Sequence, residues 1–284
     1  MSFEDGQEKE DSLGAHRLED EYVLKVYDQI ACDFDRTRYK PWPKVNDYIR
    51  SLLPGSILVD IGCGNGKYFT GISRHVLQLG CDTSVELLEI CRKRDSGSLT
   101  NSGDCEQTNY YNEVVASNVL SLPLRNGSVD HCICIAVLHH LASPERRLEA
   151  LREIFRILRP GGTCLIYVWA MEQERGGTKS KYMQKSTNSA TNAGTRGAEN
   201  TPKEERYHGS LPIHTNRTQF KHQDLLVPWK LKADKGSDQK EYLRYYHIFK
   251  EGELESLLEK ISGTELIQQY FDQGNWCIVF KKQS

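Results

Sequence analysis

The chain lacks several features that would have placed it at once. No apolar run approaches the ~20 residues needed to cross a bilayer, so no membrane partner is expected. Neither sign of charge dominates: 37 Lys and Arg stand against 39 Asp and Glu, a net charge of -2. A bulk polycation for nucleic acid is therefore excluded, and RNA would have to be met by local patches or through a partner protein. The 9 cysteines contain no C-x-x-C pair; scattered and odd in number, they read as reduced thiols in the cytoplasm or nucleus. Met1 to Asp20 is acidic and has no apolar stretch, unlike a signal peptide. The sequons Asn126-Gly127-Ser128 and Asn216-Arg217-Thr218 are then expected to be silent. Apolar residues are modest in supply, at 38% with a mean hydropathy of -0.59. That combination suggests a core accompanied by a polar portion without structure. No internal repeat is visible.

What is present is organised around Ile57-Leu58-Val59-Asp60-Ile61-Gly62-Cys63-Gly64-Asn65-Gly66-Lys67. The apolar run reads as a strand buried on both faces, as in a parallel sheet. Gly62, Gly64 and Gly66 mark a tight turn where backbone meets ligand closely. The G-x-G-x-G spacing differs from the G-x-G-x-x-G of dinucleotide sites. Asp60, just before the turn, would repel a pyrophosphate but attract an ammonium or sulfonium. The stretch therefore points to S-adenosylmethionine as cofactor, although a βα turn of this kind also occurs without any ligand.

The rest of the chain divides into a disordered leader (1–18), an N-terminal cap (19–54), a cofactor-binding core (55–172), a disordered insertion (173–223) and a C-terminal part of the same domain (224–284). Strands are predicted at Ile57 to Ile61, Val76 to Cys81, Val114 to Ala116, Val129 to Ala136 and Thr163 to Trp169. Helices are predicted from Lys67, from Ser84 to Lys93 and from Pro144 to Leu158, with a long polar loop from Asp95 to Tyr111. This βαβα order predicts an α/β fold: a Rossmann-like, mostly parallel sheet with helices on both faces. Leu266 to Tyr270 and Trp276 to Phe280, flanking Asp272-Gln273-Gly274-Asn275, predict a C-terminal antiparallel hairpin.

Ligands of such sheets collect at the carboxyl ends of the strands. Asp82, ending strand two, could accept both ribose hydroxyls, or could cap the next helix. Asn118 could hydrogen-bond an adenine edge with Val119 packed on the ring, or serve only a turn. Ala136 to His140 follow strand four, where an acceptor would sit; of His139 and His140, adjacent side chains diverge, so one at most faces it. Cys132 and Cys134, with His131 nearby, read as buried strand thiols, so no metal is expected. The arginines of the 144–158 helix read as a solvated face, with an RNA-facing patch the alternative. The loop Arg36 to Lys44 joins four cations to Tyr39 and Trp42, a mixture suited to phosphate and base contacts.

Asp60 to Lys67, Gly80-Cys81-Asp82, Leu122-Pro123-Leu124 and Leu158-Arg159-Pro160-Gly161-Gly162 resemble the class I SAM-dependent methyltransferases. Thr37 to Pro43, Ile135 to His140, Ile166 to Gln173, Val227-Pro228-Trp229, Arg244 to His247, Glu251 to Leu254 and Asn275-Trp276 are more specific. They resemble the eukaryotic tRNA wobble-uridine carboxymethyl methyltransferases, a family that includes a fungal enzyme, a domain of an AlkB-homologue protein and an animal paralogue. The resemblance implies esterification of the carboxylate of 5-carboxymethyluridine in tRNA, with a small zinc-binding activator protein as partner. It implies that Arg38 and His140 touch the substrate, with His139, Tyr245, Tyr246 and His247 in the same site, and that Asp82 touches the cofactor ribose. Asn118 stands where the family often has Asp, keeping an acceptor oxygen and losing a charge. Two other readings stay open: a SAM-binding regulatory protein without tRNA methylation activity, and a small-molecule methyltransferase.

Overall fold

The computed structural model describes residues 14–69, 75–95, 113–183, 205–231 and 240–283. Its centre is a seven-stranded sheet in the order β12-β13-β5-β4-β1-β2-β3. The strands are β1 (Ile57–Ile61), β2 (Leu77–Asp82), β3 (Glu113–Ala116), β4 (Val129–Ile135), β5 (Leu158–Trp169), β12 (Thr264–Asp272) and β13 (Asn275–Lys282). β3, β2, β1, β4 and β5 run parallel, and β13 and β12 extend the sheet antiparallel. The β12–β13 turn holds Gln273 and Gly274 at φ 50 and 85, the left-handed pair whose twist matches a two-residue hairpin. Leu58, Val59 and Ile61 of β1 are all buried, as expected of an apolar strand covered on both faces.

α4 (Pro144–Ile157) covers one face with Ala150, Leu151, Ile154 and Ile157, the helical stripe that its spacing dictates. Ser143 caps it, accepting from the Arg146 amide. Three of its arginines, Arg146, Arg147 and Arg156, are staples, which corrects the reading of a solvated face or an RNA patch for them, while Arg152 is exposed. Arg147 is buried and donates to the Leu141 carbonyl. Arg146 grips Glu19, and Arg156 donates to the carbonyls of Leu122 and Leu124. α2 (Pro43–Ser51) buries Val45 and Ile49 on the other face.

Three expectations need correction. Residues 14–18, assigned to a disordered leader, are helical, and the helix passes through one π-helical turn (Asp20–Leu24) into α1 (Lys25–Thr37). No helix starts at Lys67; the turn continues to Tyr68, and residues 70–74 lie outside the described part. Most importantly, residues 173–183 and 205–223 are built, whereas 184–204 lie outside the described residues, as do 96–112 of the expected long loop. β6 (Glu174–Arg175) and β7 (Thr178–Lys179) form a hairpin across Gly176-Gly177. β8 (Arg206–His208) and β9 (Leu211–Ile213) join β10 (Asp224–Lys230) and β11 (Glu241–His247) in a second sheet, ordered β11-β10-β9-β8. Local composition hid these strands because what holds them is distant: Leu211, Ile213, Leu226 and Tyr245 pack against Leu18, Tyr22, Val23 and Tyr27 of the N-terminal helix.

The two sheets are joined at one backbone splice. Ala170 bridges Phe249, the Phe249 amide donates to the Trp169 carbonyl (2.9 Å), and the Met171 amide donates to the Phe249 carbonyl (2.8 Å). α5 (Glu253–Leu258) follows and packs Leu254, Leu257 and Leu258 into the main core.

Candidate active site

The glycine turn sits at the carboxyl end of β1. Gly62, Gly64 and Gly66 have φ of 73, 53 and 69, conformations that disfavour side chains. A Cβ at Gly62 would run into Val137, and one at Gly66 into the Cys91 thiol, so both positions also require glycine for space. The amides of Gly62 and Cys63 donate to the Cys81 carbonyl, tying the turn to β2.

Asp60 is 1% exposed, and its Oδ2 has no partner among the described residues. Burial raises its pKa to about 7 despite the opposing pull of Lys67. Burial likewise lowers Lys67 to about 8, with its ammonium 5.1 Å over the Trp42 ring and 5.0 Å over Tyr68. A buried carboxylate oxygen without a partner costs free energy, so the site is built for a cation. Asp82 holds the far wall: its oxygens accept from the amides of Gly64 (2.8 Å) and Ser84 (2.9 Å). Ser84 caps α3 (Val85–Asp95), its hydroxyl accepting from the Leu87 amide. The Asn118 oxygen accepts from the Leu120 amide (3.0 Å), the turn role weighed as its alternative, and Val119 beside it is buried. Ala136 takes φ 65, a left-handed conformation that costs a non-glycine residue about 1 kcal/mol or more; it turns the chain from β4 toward Val137, against Gly62.

α1 closes over this turn and connects it to a second cluster. The Asn65 amide donates to Asp35, Ser84 donates to Asp28, and the Phe34 ring approaches Gly64. One turn family away on the same helix, the Tyr27 hydroxyl meets His140 Nε2 at 2.9 Å. The Nδ1 of His140 faces the Tyr245 carbonyl at 2.8 Å, so Nδ1 carries the proton and Nε2 accepts from Tyr27. Burial lowers the His140 pKa to about 3, which keeps the ring neutral. His139 is also buried, its Nδ1 accepts from the Trp169 amide, and burial lowers its pKa. Both rings pack on Tyr246, which stacks on Trp169 at 4.5 Å.

Arg244 enters this aromatic cluster from β11. It is 5% exposed, donates to the Tyr246 hydroxyl (2.8 Å) and lies over Trp229 (4.6 Å) and Tyr246 (5.2 Å). Its Nε has no partner among the described residues. Arg38, exposed at the rim, reaches the same Trp229 ring at 5.1 Å. Protein packed around its guanidinium, and then the Arg244 charge, push its pKa down.

The structure thus gathers Arg38, His139, His140 and Tyr246 beside the turn of Asp60, Gly62, Gly64, Gly66, Asp82 and Ala136. It does not bring Tyr245 or His247 there. Strand alternation sends both to the opposite face of β11, where His247 sits between Asp224 (2.9 Å) and Glu253 (2.6 Å) and the Tyr245 hydroxyl donates to Asp224. His140 is engaged by Tyr27 instead of pointing freely at a substrate. Sequence reasoning missed Tyr27, Trp229 and Arg244. Period-2 alternation along Arg244-Tyr245-Tyr246-His247 was the signal that would have separated Arg244 and Tyr246 from their neighbours. Among the described residues, no group of three or more His, Cys, Asp or Glu could hold a metal ion; His131 is hydrogen-bonded to Thr163.

Residues 59–166 match the family described as Methyltransferase domain. The chain is 45% identical to a tRNA (carboxymethyluridine(34)-5-O)-methyltransferase from Xenopus tropicalis, over 95% of this chain and 42% of that protein. It is 34% identical to the Schizosaccharomyces pombe protein of that name, over 93% of this chain and 97% of the other. It therefore spans less than half of the Xenopus relative and nearly all of the yeast one. In structure it resembles the CcbJ methyltransferase from Streptomyces caelestis, with a TM-score of 0.61 at 16% identity over 90% of this chain and 97% of that one. The fold is that of the class I methyltransferases, and the chain belongs to the tRNA (carboxymethyluridine(34)-5-O)-methyltransferase family.

Proposed function

We propose that this chain transfers the methyl group of S-adenosylmethionine to the carboxylate of 5-carboxymethyluridine at the tRNA wobble position, giving the methyl ester. The observation that carries this reading is Arg244: a buried guanidinium without a carboxylate partner among the described residues, over the Trp229 ring that Arg38 also reaches. A cation removed from water in this way is stabilised by an anion arriving with the ligand.

The cofactor fits the residues present. The partnerless oxygen of Asp60 suits the donor's cationic end, the glycine cradle admits close backbone approach, and Asp82 suits the ribose hydroxyls. Bound there, the donor supplies an electrophilic methyl group on a sulfonium. Because the acceptor carboxylate is already ionised at neutral pH, the transfer joins opposite charges and moves no proton. The site matches that requirement: both histidines are engaged and neutral, and neither is needed as a general base. The chain's work is orientation and exclusion of water. Arg38 and Arg244 can grip the carboxylate in a fork geometry, which positions the nucleophile without activating it. Tyr27, held on His140, fixes the wall between the two halves.

tRNA is the macromolecular partner in this reading. A small zinc-binding activator is the second partner, supported by the family resemblance. The setting is cytoplasmic or nuclear, in keeping with cysteines used as small apolar core residues. The test is direct. The purified protein, with and without the activator, is incubated with labelled donor and tRNA carrying 5-carboxymethyluridine, and the nucleosides are analysed by mass. Ester at the wobble nucleoside is expected; labelled tRNA with none at that nucleoside would overturn the assignment.

A further inference from the structure

Asp60 and Lys67 stand at the two ends of the glycine turn, and each lacks a counter-charge. Asp60 is 1% exposed and its Oδ2 has no partner among the described residues. The Lys67 ammonium lies over two rings, 5.1 Å from the centre of Trp42 and 5.0 Å from that of Tyr68. The rings belong to the core. Tyr68 is buried, and Trp42, held before Pro43 at the start of α2, rests on the buried Tyr167 at 5.2 Å. The face of an aromatic ring attracts a cation without neutralising it.

Four other lysines among the described residues lie over a ring, and each is satisfied in another way. Lys44 also meets Asp272, Lys282 donates to the carbonyls of Phe155 and Leu158, and Lys40 and Lys240 are exposed to water. Lys67 is half-buried and has no carboxylate within ion-pairing distance among the described residues, Asp60 included. Two unlike charges thus flank one turn, both withdrawn from water and not joined to each other. Burial pushes each toward its neutral form, Asp60 up to about 7 and Lys67 down to about 8, while the charge of each opposes the shift in the other. A singly charged ligand would leave one of the two unmatched; a zwitterion satisfies both. A donor built on methionine ends in such a zwitterion, an ammonium and a carboxylate on one carbon.

Resting on the cofactor reading above, we propose that Lys67, held by Trp42 and Tyr68, receives the carboxylate of the donor's amino-acid tail while Asp60 receives its ammonium. Lys67 is then a specificity-determining residue: it distinguishes the intact donor from a decarboxylated one, whose tail ends in a lone ammonium. Trp42 is its positioning residue.

The test is calorimetry on the full chain without tRNA, near pH 7, where the Lys67 ammonium is charged. The two ligands are S-adenosylhomocysteine and its decarboxylated analogue, which differ only in the carboxylate. Wild type is expected to bind the first about tenfold more tightly, the scale of one charge-assisted hydrogen bond. Lys67→Met keeps an apolar stem and removes the charge. It should weaken S-adenosylhomocysteine about tenfold and the decarboxylated analogue less than about twofold, with Lys67→Arg recovering part of the preference. The ratio of the two affinities within one variant is insensitive to a reduced folded fraction. A wild type indifferent to the carboxylate would overturn the proposal with no variant needed. So would equal weakening of both ligands in Lys67→Met, which would make Lys67 structural, or a preference that survives in Lys67→Met. If the chain makes no wobble ester, the functional reading fails on its own, while the ligand preference still decides the role of Lys67.

Discussion

On the glycine-turn side of the pocket stand two carboxylates, Asp60 and Asp82, at the ends of consecutive strands, with the Lys67 ammonium held over Trp42 and Tyr68. On the facing side they are guanidiniums, Arg38 and Arg244, brought together on one indole from opposite ends of the chain. The first wall suits a cation and the second an anion, so in the proposed reaction a cationic donor and an anionic acceptor would be drawn to different sides and meet between them. The contrast also separates two ways of building a site. One wall is written in a local motif; the other exists only once a second sheet and a helix have packed.

If the walls are independent, replacing the buried cation should leave the donor alone. Arg244→Met keeps volume and removes charge. It is expected to lower ester formation by roughly two orders of magnitude, the usual scale for deleting one member of a buried charge pair, with donor affinity by calorimetry nearly unchanged. A parallel loss of donor affinity would show that the walls are not separable.

The carboxylate wall can be probed by pH. Asp60 has a folded pKa of about 7, raised by burial, and a bound ammonium favours its ionised form. Binding therefore releases a proton, and donor affinity should rise about tenfold from pH 6 to pH 8 and flatten above. Asp60→Asn should abolish that slope; a persisting slope assigns the titration to another group.

Tyr27 links the two sides, and removing its hydroxyl should have a smaller effect. Tyr27→Phe leaves His140 Nε2 without its donor, a loss of about 1 kcal/mol, so turnover should drop about fivefold with donor affinity intact. A variant as fast as wild type would make the Tyr27–His140 bond structural only.

His247 sharpens the comparison by belonging to neither wall. His247→Gln should leave turnover within about twofold but lower stability by about 1–2 kcal/mol in chemical denaturation, allowing for its half-exposed partner Asp224. The folded pKa of His247 is raised: burial pushes it down, but hydrogen bonds to Asp224 and Glu253 outweigh burial. That stabilisation is complete below the unfolded value near 6.5 and lost as pH rises through the folded one. Wild type and His247→Gln should thus differ most in acid. A large fall in turnover would return His247 to the site.

The division between the walls is also the division between what could and could not be read from the residues. The strand and its glycine turn, Asp60, Asp82 and the parallel sheet were legible because each depends on neighbours within a few residues. The second sheet was not: Leu211 and Ile213 look isolated among polar residues until Val23 and Leu226 are placed against them. Two turn signals were nonetheless available, Gly176-Gly177 and Gly209-Ser210, each with glycine at φ near 60 and each closing a two-residue hairpin. Arg244 was obscured for a different reason. Among Arg244-Tyr245-Tyr246-His247 every residue type could do chemistry, and only the strand's pleat decides which two face the pocket.

The splice of Ala170 and Met171 onto Phe249 carries a consequence for how such a site could be transplanted. Backbone hydrogen bonds run between the two chain segments in both directions there, and Trp169, one residue earlier, is the ring on which Tyr246 rests. A foreign nucleotide-binding scaffold given only the β8–β11 sheet would receive Arg244 without the ledge that aims it. Recombination between relatives would therefore be expected to exchange the acceptor half only in blocks that begin inside β5.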